Sequence, residues 1–149
     1  MSLDITHQQY RKFLRDTCWY AHAHERNAKE LAYLTLGLVG EAGEFADAFK
    51  KLIREIGFDD LGRLNRALKQ EEGAKMTAEL GDVLWYITRL CDVLGIGLED
   101  LMLMNTYKLF KRIEDGGWSP PMRIDWPYSD PFKSYKNVQQ ELFPADEEQ

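Results

Sequence analysis

The stretch Leu34-Thr35-Leu36-Gly37-Leu38-Val39-Gly40-Glu41-Ala42-Gly43-Glu44-Phe45-Ala46-Asp47-Ala48-Phe49 decides the fold. Leu34, Leu38, Phe45 and Phe49 return at helical spacing, and the same face runs outward through Leu31, Leu52 and Ile56. This predicts a long helix from about Asn27 to Ile56, closed by Gly57. Glu41 falls three residues after Leu38 and four before Phe45, so a carboxylate stands inside the stripe meant for the core, and Glu44 follows one turn later.

The pattern recurs downstream. Met76, Leu80, Val83, Ile87, Leu90 and Leu94 mark a helix from about Ala74 to Leu94, and Glu79 and Asp82 interrupt its stripe as Glu41 and Glu44 interrupt the first. Packing two such stripes brings four carboxylates into a partly dehydrated crevice, which is strongly destabilising unless protons or cations neutralise them. Oxygen donors without His or Cys suit hard ions, above all Mg²⁺, with Mn²⁺ as the alternative. A di-iron bundle would need Glu-x-x-His, and no histidine follows these acids at that spacing. Gly37, Gly40, Gly43 and Gly81 beside the acids each disfavour a helix by roughly 1 kcal/mol against Ala, which makes sense where another helix or a substrate approaches the backbone.

The remaining chain reads as helix too. Thr6 and Gln9 form a capping-box pattern before Tyr10, Phe13, Leu14, Thr17 and Ala21, predicting a first helix to about His24. Leu61, Leu64 and Leu68 predict a short extra helix with Gly73 as its stop, and Leu98 to about Asp115 a last one, ended by Gly116-Gly117. All five prolines lie after position 119, and no strand-like alternation competes. The expected architecture is all-α, a four-helix-bundle-like domain over residues 1–115 with the short helix inserted between its second and third helices. Residues 116–149 form an extended tail, rich in Pro and aromatics.

With 19 basic against 25 acidic side chains in 149 residues, the net charge of −6 argues against direct nucleic-acid binding. No apolar run approaches the roughly 20 residues of a membrane span. Cys18 and Cys91 have no CxxC spacing and no leader ahead of them, so a cytoplasmic setting is expected. On the last helix Asn105, Lys108 and Arg112 share a face, and Lys50, Lys51 and Arg54 add cations beyond the acids of the second helix. Next to a metal-carboxylate cluster, such groups hold phosphate oxygens.

The runs Gly40-Glu41-Ala42-Gly43-Glu44-Phe45-Ala46-Asp47, Glu79-Leu80-Gly81-Asp82-Val83-Leu84-Trp85-Tyr86 and Asn105-Thr106-Tyr107-Lys108 resemble the MazG-like nucleoside triphosphate pyrophosphohydrolases of the all-α NTP pyrophosphatase superfamily, over roughly residues 10 to 112. The resemblance implies a homodimer or homotetramer with Mg²⁺ held by Glu41, Glu44, Glu79 and Asp82. It implies cleavage of nucleoside triphosphates between the α- and β-phosphates, with Glu41 or Glu44 handling the attacking water. Lys51, Asn105 and Lys108 would then touch phosphate or sugar, as would Arg112, and Trp85 is a candidate for the base. Variants of the same reading are a dUTP- or dCTP-selective diphosphatase and a phosphoribosyl-ATP pyrophosphohydrolase; a reading of another class is a non-catalytic helical module with structural metal. Gln139-Gln140-Glu141-Leu142-Phe143 loosely resembles a sliding-clamp docking peptide, against the simpler expectation that Leu142 and Phe143 anchor the tail.

Overall fold

The computed structural model describes residues 5–116, and the chain divides into two units, Met1–Leu94 and Gly95–Gln149. Among the described residues there are five helices and no strand: α1 (His7–Thr17), α2 (Ala28–Ile56), α3 (Leu61–Leu68), α4 (Glu71–Leu94) and α5 (Leu98–Glu114). The all-α class and the short inserted helix are as expected from the sequence. The tail segment Gln139 to Phe143 lies outside the described residues.

Local chemistry sets the helix boundaries in the first unit. Gln9 N donates to Thr6 Oγ1 at 3.2 Å and Thr6 N to Gln9 Oε1 at 2.8 Å, closing the capping box at the start of α1. This helix stops at Thr17 and does not reach His24, because Cys18 is extended and His22, His24 and Arg26 take left-handed φ of 68°, 69° and 50°. Asn27 Oδ1 accepts from Lys29 N and Glu30 N at 2.9 and 3.1 Å to open α2, which Gly57 closes at φ +80°. Gly73 is not a stop: α3 ends at Leu68, and Gly73 sits inside the first turn of α4, where a Cβ would fall 1.8 Å from the Leu68 carbonyl oxygen.

In this unit α2 packs lengthwise on α4, α3 touches both, and α1 lies on α4. Leu14, Leu34, Leu52, Leu64 and Cys91 are buried, each leucine stabilising by about 1.5–3 kcal/mol. Leu80 and Leu94, expected on the core stripe of α4, are 50% and 58% exposed, as is Phe13 of α1 at 59%. The core where the C-terminal half of α4 meets α2 is polar instead. Glu30, Thr88, Arg89 and Asp92 are buried there, and Arg89 donates to Asp92 Oδ2 at 2.6 Å and to Glu30 Oε1 at 3.2 Å. Glu30 also accepts from the Tyr20 hydroxyl at 2.6 Å and from the backbone N–H of His24 and Arg26 at 3.0 and 2.8 Å. Its buried charge is therefore matched by donors, as a stable interior requires.

In the second unit, Gly97 opens α5 and its N–H donates to Asp100 Oδ2 at 2.8 Å, while Gly116 follows the helix at φ +74°. Among the described residues no helix is long and apolar enough to cross a membrane.

Candidate metal centre

The pairing of α2 with α4 brings Glu41, Glu79 and Asp82 together: each offers an oxygen within 4.8 Å of those of the others. Glu41 and Glu79 are half-buried and Asp82 is exposed, so the cluster opens to solvent on one side. Burial raises the Glu41 carboxyl above its ordinary value, and the charges of Glu44, Asp82 and Glu79 raise it further. The negative charge that raises Glu41 favours a cation in the same place. Three convergent carboxylate oxygens without nitrogen or sulfur fit a hard divalent ion.

Glu44 is exposed and stands outside that group of three. It lines a neighbouring cavity of about 490 Å³ together with Asp47 and Lys51 of α2 and Glu72, Lys75 and Glu79 of α4. Lys51 bonds Asp47 Oδ2 at 2.7 Å, and Lys50 pairs with the same carboxylate. Lys50 and Lys51 together hold the Asp47 carboxyl down at about 2. Lys75 reaches Glu71 and Glu72, each at 3.1 Å, and these partners raise its ammonium above the ordinary value. Sequence reasoning passed over Lys75, although its position four residues before Glu79 puts it on the same helix face.

The glycines divide into two kinds. A Cβ on Gly37 would fall 2.1 Å from Tyr86 Cε1, so Gly37 is the place where a ring of α4 lies against the backbone of α2. Cβ atoms on Gly40, Gly43 or Gly81 would have no neighbour within 4 Å. Burial raises the Tyr86 hydroxyl, as do Tyr33, Glu41 and Asp82 nearby. Burial raises Tyr10 too, with the charge of Asp82 adding to it, so two phenols border the acids. Trp85 is half-buried and packs edge-on against Tyr86 at 4.8 Å and Tyr20 at 5.9 Å between ring centres.

In the second unit, Asn105, Lys108 and Arg112 are exposed on one side of α5 and line a cavity of about 480 Å³, with Leu101, Tyr107 and Lys111 among its other walls.

The profile of the MazG nucleotide pyrophosphohydrolase domain matches residues 29–116. The chain belongs to the MazG family. Over 117 residues this MazG chain is 36% identical to Gene 37 protein of Mycobacterium phage L5, an alignment covering 78% of the chain and 92% of that protein. Over 79 residues it is 40% identical to the uncharacterized protein YvdC of Bacillus subtilis (strain 168), covering 52% and 70%. No solved structure matches it. All five helices except α1 fall within or overlap the MazG match, which begins at Lys29, so the carboxylates of α2 and α4 lie inside the family domain.

Proposed function

We propose that this MazG domain is a Mg²⁺-dependent hydrolase of nucleoside or deoxynucleoside triphosphates, cutting between the α- and β-phosphates to release nucleoside monophosphate and pyrophosphate. The observation that carries the reading is the convergence of Glu41, Glu79 and Asp82 oxygens within 4.8 Å on two helices of a MazG domain. Those three residues would hold the ion, with Mn²⁺ as a substitute. Bound there, it would neutralise phosphate charge and acidify water.

The chain's own groups do the rest. Of the two candidates Glu41 and Glu44, the exposure of Glu44 and its lining of the adjoining cavity support Glu44 as the group that would orient the attacking water and accept its proton. That water oxygen bonds to the α-phosphorus as the bond to the bridging oxygen breaks, and pyrophosphate leaves with the electron pair. Lys51 and Lys75 reach the same cavity from opposite helices, a position for neutralising charge on the leaving pyrophosphate. Asn105, Lys108 and Arg112 would bind phosphate or sugar, and Trp85 the base. A helix face carrying Leu36, Val39, Gly40 and Gly43, exposed and without neighbours at either glycine, supports assembly as a homodimer or homotetramer. Cys18 and Cys91 form no disulfide, which suits a cytoplasmic nucleotide pool.

The test is incubation with each common NTP and dNTP, dUTP included, with and without Mg²⁺, and separation of the products. Monophosphate and pyrophosphate, lost with EDTA, support the reading, and confinement to dUTP or dCTP narrows it. Orthophosphate release, or folding that needs metal without any turnover, overturns it.

A further inference from the structure

About 15 Å along α2 and α4 from the acids, at 1.5 Å per residue, the polarity of the molecule reverses. Arg11 and Arg15 of α1, His24 and Arg26 of the following loop, and Arg89 and Asp92 of α4 line a cavity of about 160 Å³. Four guanidinium groups face a single carboxylate there, and with Glu30 buried beneath, the local surplus is two positive charges in a chain whose total is −6. Arg11 and Arg15 lie four residues apart on one helix face, a like-charge pair that repels unless something negative lies between them.

Three of the four guanidinium groups, those of Arg11, Arg26 and Arg89, are held in place while donors remain unused. Arg89 is locked by Glu30, Tyr20 and Asp92. Arg11 gives its Nε to Asp92, leaving its terminal nitrogens. Arg26 gives Nε and Nη2 to the Asp92 carbonyl at 2.9 and 2.7 Å and keeps Nη1. Among the described residues the Arg15 side chain makes no hydrogen bond or ion pair. The loop reaches this position through left-handed backbone at His22, His24 and Arg26, a conformation that persists because Glu30 ties down two of its N–H groups.

We propose that this pocket is a second, metal-independent anion site that binds a phosphate group. A dianion matches the surplus of two charges, and its tetrahedral oxygens match several guanidinium forks converging from a helix, a loop and a second helix. The site is separate from the carboxylate cluster and does not rest on the hydrolase reading. Its ligand is free phosphate or pyrophosphate, or the phosphate of a nucleotide.

The experiment is calorimetric titration of the full chain in EDTA at low ionic strength with inorganic phosphate, pyrophosphate and a nucleoside monophosphate. Saturable binding of one anion per chain is expected, retained in Glu41→Gln and weakened about tenfold or more in Arg15→Gln, which removes one charged donor. Because Arg15 makes no hydrogen bond or ion pair with the network and repels Arg11, the ligand-free melting temperature of Arg15→Gln should not fall below that of the parent. Tightest binding of inorganic phosphate or pyrophosphate supports the site with a free anion as its ligand, and tightest binding of the monophosphate supports it with a nucleotide. No saturation at millimolar anion, equal affinity in Arg15→Gln, or binding that disappears in Glu41→Gln overturns the proposal. A chain that hydrolyses nothing yet passes this titration refutes the proposed activity alone; one that hydrolyses triphosphates and fails it refutes this site alone.

Discussion

Arg89 of α4 donates from Nη2 to Glu30 Oε1 of α2 at 3.2 Å, and both side chains are almost completely shielded from water, at 2% and 0% exposure. A buried ion pair stabilises little over a well-packed apolar pair, but removing one partner strands the other charge, at a cost of about 3–5 kcal/mol. Glu30→Leu should fall in that range, since it also orphans the N–H groups of His24 and Arg26. Arg89→Met should cost less, because Tyr20 and those two N–H groups still bond Glu30. Urea unfolding of the two variants measures the order; equal losses would contradict it.

Acid sensitivity should follow from the same carboxylate. Burial alone would push the Glu30 carboxyl up, but the bonds from Tyr20, Arg26 and His24 and the Arg89 charge outweigh it, and the net shift is downward. A depressed folded value adds stability that is present above the unfolded value near pH 4.3 and lost as pH falls through the folded one. Glu41 is shifted upward, so in metal-free protein its contribution is present at low pH and lost as pH rises through its raised value. Stability against pH in EDTA should show a shallower acid limb in Glu30→Gln, the depressed Asp47 carboxyl keeping part of it, and a reduced upper slope in Glu41→Gln.

Periodicity made α2 legible to its ends, because Asn27 and Gly57 are strong local signals and twenty-nine residues keep one face. It overran α1, where Ala21 and His24 keep helical spacing while the backbone turns left-handed at His22 and His24. Three of the four acids expected to converge do so, Glu44 standing outside, and the meeting of Glu41, Glu79 and Asp82 was readable because acids inside two apolar stripes come together when the stripes pack. Glu30, Arg89 and Asp92 were not, since a charged residue reads as surface until a loop and a neighbouring helix are known to close over it. The exposed Leu80 shows the converse: spacing identifies a face, and what covers that face is a tertiary matter.

Neutralising one member of the acid cluster should separate activity from stability. Glu41→Gln, Glu79→Gln and Asp82→Asn should each lower Mg²⁺-dependent turnover on the order of a hundredfold or more, as when one preorganised electrostatic group is lost. In EDTA the same variants should melt higher than the parent, because each relieves repulsion among carboxylates within 4.8 Å of one another. Lower metal-free melting temperatures would show that these side chains are structural.

Lys75 should act through binding. It lines the cavity beside Glu79 and already serves Glu71 and Glu72, so Lys75→Ala removes charge from the phosphate side without touching the three acids. The expected result is a several-fold rise in KM for triphosphate with a smaller change in kcat. A loss confined to kcat would instead place Lys75 at the bond being broken.

The glycines of α2 test assembly. Gly37→Ala would force its Cβ to 2.1 Å from the Tyr86 ring, an overpacking that should cost about 1–3 kcal/mol whatever the oligomeric state. Gly40→Ala has open space around it within the chain and improves helix propensity by up to about 1 kcal/mol, so a monomer should gain stability. If a second copy packs its helix on the face of Leu36, Val39, Gly40 and Gly43, the added methyl holds the two backbones apart, and the same substitution weakens the assembly. Sedimentation of Gly40→Ala alongside its melting curve separates these outcomes: a stabilised chain with unchanged mass removes this face from the interface, and a shift toward monomer assigns the face to it.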